Sequence, residues 1–291
     1  MVDRFRRISR YPFGVRLLCF LGVLLVVWLP FALPIYQWLD DPDWINIATM
    51  GLLYSEFIVL LQVWGRIVYD QSSLLRHYGL VATKQNGLDW LFGLGLGLSL
   101  LLGTFVVQGW LGWVTWQASE MPLIRLVLEG AIVGIAVGFA EELAFRGWLL
   151  DELKRDYRPA IALWANSLFF AVAHFIRPWD AIRETWPQFL GLLLLGAILV
   201  WAKRCSRDRG NHINGKRLGL PMGLHGGLVW GYYLVNVGNW VTYSGCVPTW
   251  VTGIDGNPLA GLLGLGLLGA IAILMRALAL KATPARERLS H

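Results

Sequence analysis

Long apolar runs separated by short polar stretches dominate the chain. A helix that crosses a bilayer needs about 20 mostly apolar residues. Eight segments answer to that description: 17–38, 45–68, 90–110, 122–150, 160–176, 187–202, 220–237 and 258–280. None shows the alternation of a barrel strand, in which lipid-facing and lumen-facing residues take turns. The first run is longer than the apolar part of a signal peptide and lacks a small-residue cleavage site after it, so it reads as a retained anchor. The pattern predicts an all-α, polytopic helix bundle of about eight spans, a single integral membrane domain over residues 1–291.

Charge placement tests that count independently, because cytoplasmic loops collect Lys and Arg. Arg4, Arg6, Arg7, Arg10 and Arg16 precede the first span, and Arg66, Arg76 and Lys84 lie between the second and third. Lys154, Arg155 and Arg158 follow the fourth, and Lys203, Arg204, Arg207, Arg209, Lys216 and Arg217 follow the sixth. Arg276, Lys281, Arg286 and Arg288 close the chain. The odd connections hold only Arg125, Arg177 and Arg183. Eight spans with both termini cytoplasmic reproduce this bias; one span more or fewer would mix the two sets. Tryptophans 28, 38, 44, 110, 113, 116, 186, 240 and 250 gather near span ends, as an interfacial aromatic belt does.

Composition narrows the class. Of 291 residues, 56% are hydrophobic and 15% charged, and the mean hydropathy is +0.54. A soluble globule could not hide that much apolar surface, and a disordered chain would be polar. Cys19, Cys205 and Cys246 are an odd number, far apart, and make no disulfide framework. The net charge of +6 sits in juxtamembrane loops, where it orients the chain and meets anionic lipid. No aromatic-interleaved basic patch points to nucleic acid. The basic stretch 203–219 reads as a topology determinant, and Gly93, Gly95 and Gly97 read as a close helix contact rather than a phosphate loop.

Charged and imidazole groups inside spans are costly and therefore informative. Glu56, Arg66, Glu129, Glu141, Glu142, Arg146, His174 and His225 are such groups. Glu56 and Arg66 lie ten residues apart and read as structural or interfacial; His77, His212 and His291 lie in loops or at the end. On a helix Glu142 and Arg146 share a face and can pair, whereas Glu141 is turned about 100° away. Gly130, Gly134 and Gly138 continue the Glu142–Arg146 stripe at four-residue spacing, so that face should pack against a neighbour and leave Glu141 turned toward a cavity. His174 follows Phe170 by one turn in the fifth span, and His225 lies among glycines in the seventh. Two histidines and an unpaired carboxylate on three helices offer a general base, a polarising donor or a two-His-one-carboxylate metal site.

Glu141-Glu142-x-x-x-Arg146, then Phe170-x-x-x-His174, then His225 in a later span resembles the CPBP family of CAAX prenyl proteases and bacteriocin-processing (Abi) proteins. The resemblance covers a core over 130–239. It implies an intramembrane glutamic or metallo-endopeptidase with Glu141, His174 and His225 as catalytic residues. Glu141 and His174 would activate a water, His225 would stabilise the oxyanion, and Glu142 and Arg146 would hold the site together. If a metal is bound, zinc above all, the same three residues would be its ligands, although no His-Glu-x-x-His motif is present. Phe170, Trp148, Trp230 and Val229 are candidates for a substrate cavity. The partners implied are a peptide or protein substrate and membrane lipid, in a bacterial inner or organellar membrane.

One position departs from the family pattern. Asn or Asp often stands four residues after the last His, where this chain has Val229. Losing one oxyanion donor costs about 10²–10³ in rate. Gly226 and Gly227 could supply backbone donors if the helix broke there. On a 1.5 Å rise, Glu141, His225 and His174 lie about 15, 10 and 22 Å from the cytoplasmic ends of their spans, which a tilted or conical site would reconcile. The site is expected to open toward the cytoplasmic half. Two rivals remain: a catalytically inactive relative serving as scaffold or immunity protein, and a proton-coupled small-solute transporter, which the lack of a visible inverted repeat disfavours.

Overall fold

The computed structural model describes residues 5–206 and 217–282. Arg4, Arg207, Arg209, His212, Lys216, Arg286, Arg288 and His291 lie outside the described residues. The chain forms two compact units, Met1–His77 and Tyr78–His291. The first unit is a helical hairpin that packs on itself. Its helices are α1 (Phe13–Trp38) and α2 (Pro42–Val68). Asp41 caps α2 by accepting from the backbone N–H groups of Asp43 and Trp44, with Pro42 at the first helical position. Phe20 packs edge-on against Phe57 and Trp64, joining the two helices.

The second unit carries α3 (Lys84–Trp110), α4 (Leu123–Asp156), α5 (Pro159–Ala173), α6 (Trp179–Thr185), α7 (Gln188–Cys205), α8 (Gly219–Asn236) and α9 (Leu262–Ala282). Two short strands, β1 (Val114–Trp116) and β2 (Val241–Tyr243), pair antiparallel beyond the ends of α3 and α8.

Each of the eight expected spans coincides with a helix. Six of these, α1, α2, α3, α4, α7 and α9, are long and apolar enough to cross a membrane. The protein is a multi-pass integral membrane protein of the all-α class. Helix α5 has 15 residues, and α8 has 18, of which 12 are buried.

Glycine explains how α8 is buried so completely. Gly219, Gly223 and Gly227 face α3, where an added Cβ would collide with backbone atoms of Asn86, Trp90 and Leu94. From the other side, Gly93 and Gly97 of α3 meet the backbone of Leu220 and Leu224. The opposite face of α8 receives α4: Gly134 sits against Gly226, Gly138 against Met222, and Gly130 against Trp230 and Tyr233. Glycine at four-residue spacing lets two helices approach until their backbones touch. Gly95 meets nothing, so of these three glycines only Gly93 and Gly97 make the close contact. A second core joins α5, α7, α8 and α9 through Phe170, Leu195, Leu199, Leu224, Ile271 and Met275.

The depth mismatch between Glu141 and His174 disappears once the helix ends are located, whereas His225 stays six residues from the start of α8. Helix α4 runs on to Asp156, six residues past the expected end at Leu150, and α5 begins at Pro159. Glu141 and His174 then lie fifteen residues from the α4–α5 turn on either side, each about 22 Å from it. Helix α5 ends at Ala173 rather than Ile176, which makes His174 its C-terminal cap.

Candidate active site

The α4 helix is not uniform. After Glu142 it widens into a π-helical turn over Leu143–Leu149, in which the Leu150 N–H reaches back to Phe145 O, and it becomes α-helical again at Leu150. Turns of this kind are rare and concentrate at functional sites. This one begins directly after Glu142.

Glu142 and Arg146 are completely buried and pair at 3.0 Å. Arg146 also donates from Nη2 to Gly196 O on α7 at 3.1 Å, and its Cζ lies 4.2 Å from the centre of the Phe170 ring. The guanidinium is thus held by a carboxylate, a carbonyl and an aromatic face, which suits a charge with no water around it. Glu142 Oε1 takes a second hydrogen bond, from His225 Nδ1 at 2.9 Å.

Glu141 points the other way, as the helical geometry requires. Its Oε2 lies 3.6 Å from His174 Nε2 and 4.0 Å from His225 Nε2. The remaining ring nitrogens are both committed. His174 Nδ1 donates to Phe170 O at 2.8 Å, because a carbonyl can only accept, and His225 Nδ1 donates to the carboxylate of Glu142. In the neutral rings both Nε2 atoms therefore carry lone pairs, and both face Glu141. Arg177 steadies the end of α5 by donating from Nε to His174 O at 2.8 Å. Phe170 lies between the histidines, with ring centres 4.6 Å from His174 and 5.8 Å from His225.

The separations of 3.6 and 4.0 Å are too long for direct hydrogen bonds and short enough for one water to bridge. The donor set has the chemistry of a zinc site, with each imidazole anchored through its other nitrogen. Among the described residues no three His, Cys, Asp or Glu side chains are grouped to hold a metal ion.

A cavity of about 220 Å³ adjoins the two histidines. Its walls come from the second half of α3, the end of α5, the first halves of α7 and α9, and α8 from His225 onward. Phe170 and Val229 line it; Trp148 and Trp230 do not. Trp148 is buried in the π-helical turn, and Trp230 covers Gly130 and Gly134. Leucine is the commonest lining residue, with Thr104, Gln188, Tyr232 and Asn257 as polar points beside the two histidines. The cavity lies toward the cation-poor connections, not toward the cation-rich half where the opening was expected. The short α5 and α7 end near His174 and Gln188, which leaves the longer α3 uncovered on that side.

Residues 123–246 match the family model described as type II CAAX prenyl endopeptidase Rce1-like. The match covers less than half of the chain and supports, for that segment, the resemblance to the CPBP family. The matched region contains the expected core 130–239 and every residue of the three motifs. This is a protease family. No curated protein and no solved structure matches the chain.

Two polar residues around the site escaped the sequence reading. Asn166 of α5 donates to Phe145 O at 2.8 Å, and Lys203 of α7 donates to Arg146 O at 2.6 Å. Asn166 is a polar residue in an apolar span, a signal that was there to be used. Lys203 was counted with the loop cations, but it belongs to α7 and is buried. Arg217, also counted there, pairs with Asp89 at the start of α3 at 2.8 Å. Glu129 accepts from Arg125 and from Tyr233 OH, which ties α4 to α8 away from the site.

Proposed function

We propose that this protein is a CPBP-type intramembrane endopeptidase in which Glu141 and His174 activate a water held between them. The observation that carries this reading is the convergence of Glu141 Oε2 and the Nε2 atoms of His174 and His225 within 4.0 Å, beside an apolar cavity.

A water in that gap donates one hydrogen to Glu141 and the other to His174 Nε2, leaving an oxygen lone pair for the scissile carbonyl carbon. Attack transfers a proton to Glu141. When the C–N bond breaks, Glu141 returns that proton to the leaving amine. His225, with its Nδ1–H donating to Glu142, holds Nε2 as an acceptor; to stabilise the oxyanion it would first have to take up a proton from solution and become the imidazolium. The carboxylate of Glu142, already neutralised in part by Arg146, is placed to hold that cation. Helix α8 is continuous from Gly219 to Asn236, so the backbone N–H groups of Gly226 and Gly227 belong to the helix and are not free oxyanion donors.

The substrate is a peptide or protein whose residues beside the scissile bond are apolar, matching the cavity wall. Eight spans with both termini cytoplasmic, in a bacterial inner or organellar membrane, complete the proposal, with anionic lipid meeting the juxtamembrane cations. Because the three acceptors are not grouped as a metal site, no step is routed through zinc.

Val229 favours a second reading. It puts an apolar wall where many relatives have a donor, as a non-catalytic scaffold or immunity protein would tolerate. The two are separated by incubating the reconstituted protein with an internally quenched peptide library. A peptidase cleaves, and Glu141→Gln and His174→Ala abolish cleavage while unfolding at the wild-type temperature. A scaffold shows no cleavage that depends on either residue.

A further inference from the structure

The π-helical turn of α4 has supports from two other helices. Phe145 O accepts from the Leu150 N–H within the turn and also from Asn166 Nδ2 of α5 at 2.8 Å. The next carbonyl, Arg146 O, accepts from Lys203 Nζ of α7 at 2.6 Å. A π turn takes its carbonyls out of α register, and in a lipid-embedded helix a freed carbonyl needs a partner. Both partners are expensive. Asn166 is fully buried, and its Oδ1 has no hydrogen-bond partner, so the side chain is retained there for its N–H donor. Lys203 carries an ammonium group into the same interior at 6% exposure.

We propose that Asn166 and Lys203 are positioning residues that hold the π turn open and thereby aim His225. The relay is short. Lys203 fixes the backbone of Arg146, whose side chain fixes Glu142, whose Oε1 fixes the Nδ1 proton of His225. His225 Nε2 is then left facing Glu141. Asn166 does the same one residue earlier, at Phe145. If the turn relaxed to α-helix, Arg146 would rotate relative to Gly196 and the Phe170 ring, and the Glu142–His225 contact would lose its anchor.

The effect on catalysis rests on the peptidase reading above; the effect on His225 does not, so the test reads His225 directly. Wild-type protein labelled with ¹⁵N-histidine should show His225 as one tautomer, with the proton on Nδ1. Lys203→Met and Asn166→Asp each remove the donor, and each should give a mixture of tautomers at His225 with His174 unchanged. Lys203→Arg, which keeps a donor, should restore the single form. Where cleavage is measurable, both donor-removing variants should lose about 10–100-fold in turnover with KM unchanged. An unaltered His225 spectrum in folded Lys203→Met and Asn166→Asp overturns the proposal, whatever the activity. Should Lys203→Met fail to fold, Asn166→Asp decides by the same spectrum. If neither folds, the two residues hold the bundle rather than aim the site, and the proposal is likewise overturned.

Discussion

His225 Nδ1 donates to Glu142 Oε1 at 2.9 Å, and the same oxygen accepts from Arg146 Nη1 at 3.0 Å. One carboxylate oxygen therefore ties the third motif to the first across two helices. Adjacent glutamates on α4 have separate tasks: Glu142 is buried and fully engaged, while Glu141 is partly exposed and faces the two free ring nitrogens.

That division predicts different stability losses. Arg146→Ala leaves a buried carboxylate without its cation and should cost about 3–5 kcal/mol. Glu141→Gln should stay within about 1 kcal/mol, since this carboxylate is partly exposed and makes no direct hydrogen bond. Thermal unfolding of the two variants in detergent makes the comparison. Equal unfolding temperatures would contradict the division.

The glycine contacts around α8 predict a position-specific response. Gly97→Ala drives a Cβ into the carbonyl of Leu224 and should destabilise by about 1–3 kcal/mol. Gly95→Ala, two residues away and facing open space, should be neutral or stabilising by up to about 1 kcal/mol. Unfolding temperatures that fall together would mean that α3 does not pack on α8 through Gly93 and Gly97.

Val229 lines the cavity one helical turn beyond His225. Val229→Asn puts an amide donor there and should raise turnover, by as much as about 10²-fold if a missing oxyanion donor limits the rate. Steady-state cleavage of a fixed peptide measures it. A lower or unchanged rate would show that this wall does not face the reacting carbonyl.

The proposed route runs through water alone, and no group of three metal-ligating side chains is found among the described residues. Cleavage should survive prolonged treatment with a strong chelator. Loss of activity that added zinc restores would overturn the water-only route.

Much of this site was legible because helical periodicity converts spacing into direction. A step of four from Glu142 to Arg146 makes a pair, a step of one from Glu141 to Glu142 makes two faces, and Gly130, Gly134 and Gly138 mark the packed side. Helix ends were harder. Apolar content continues past Ala173 to Ile176, so hydropathy alone could not show that α5 stops at His174. The π turn was out of reach, since its donors arrive from Asn166 and Lys203, 21 and 57 residues away. The position of the cavity likewise depends on the lengths of neighbouring helices, which no single span records.

The most direct test of proteolysis compares membranes from cells expressing wild-type protein or Glu141→Gln at matched levels, by quantitative mapping of new peptide termini. An active peptidase predicts at least one membrane-associated polypeptide that accumulates uncleaved in the variant, with a terminus found only in wild type and apolar residues beside the cut. Identical sets of termini, with the variant shown to be folded, would contradict proteolysis and leave the scaffold reading in its place.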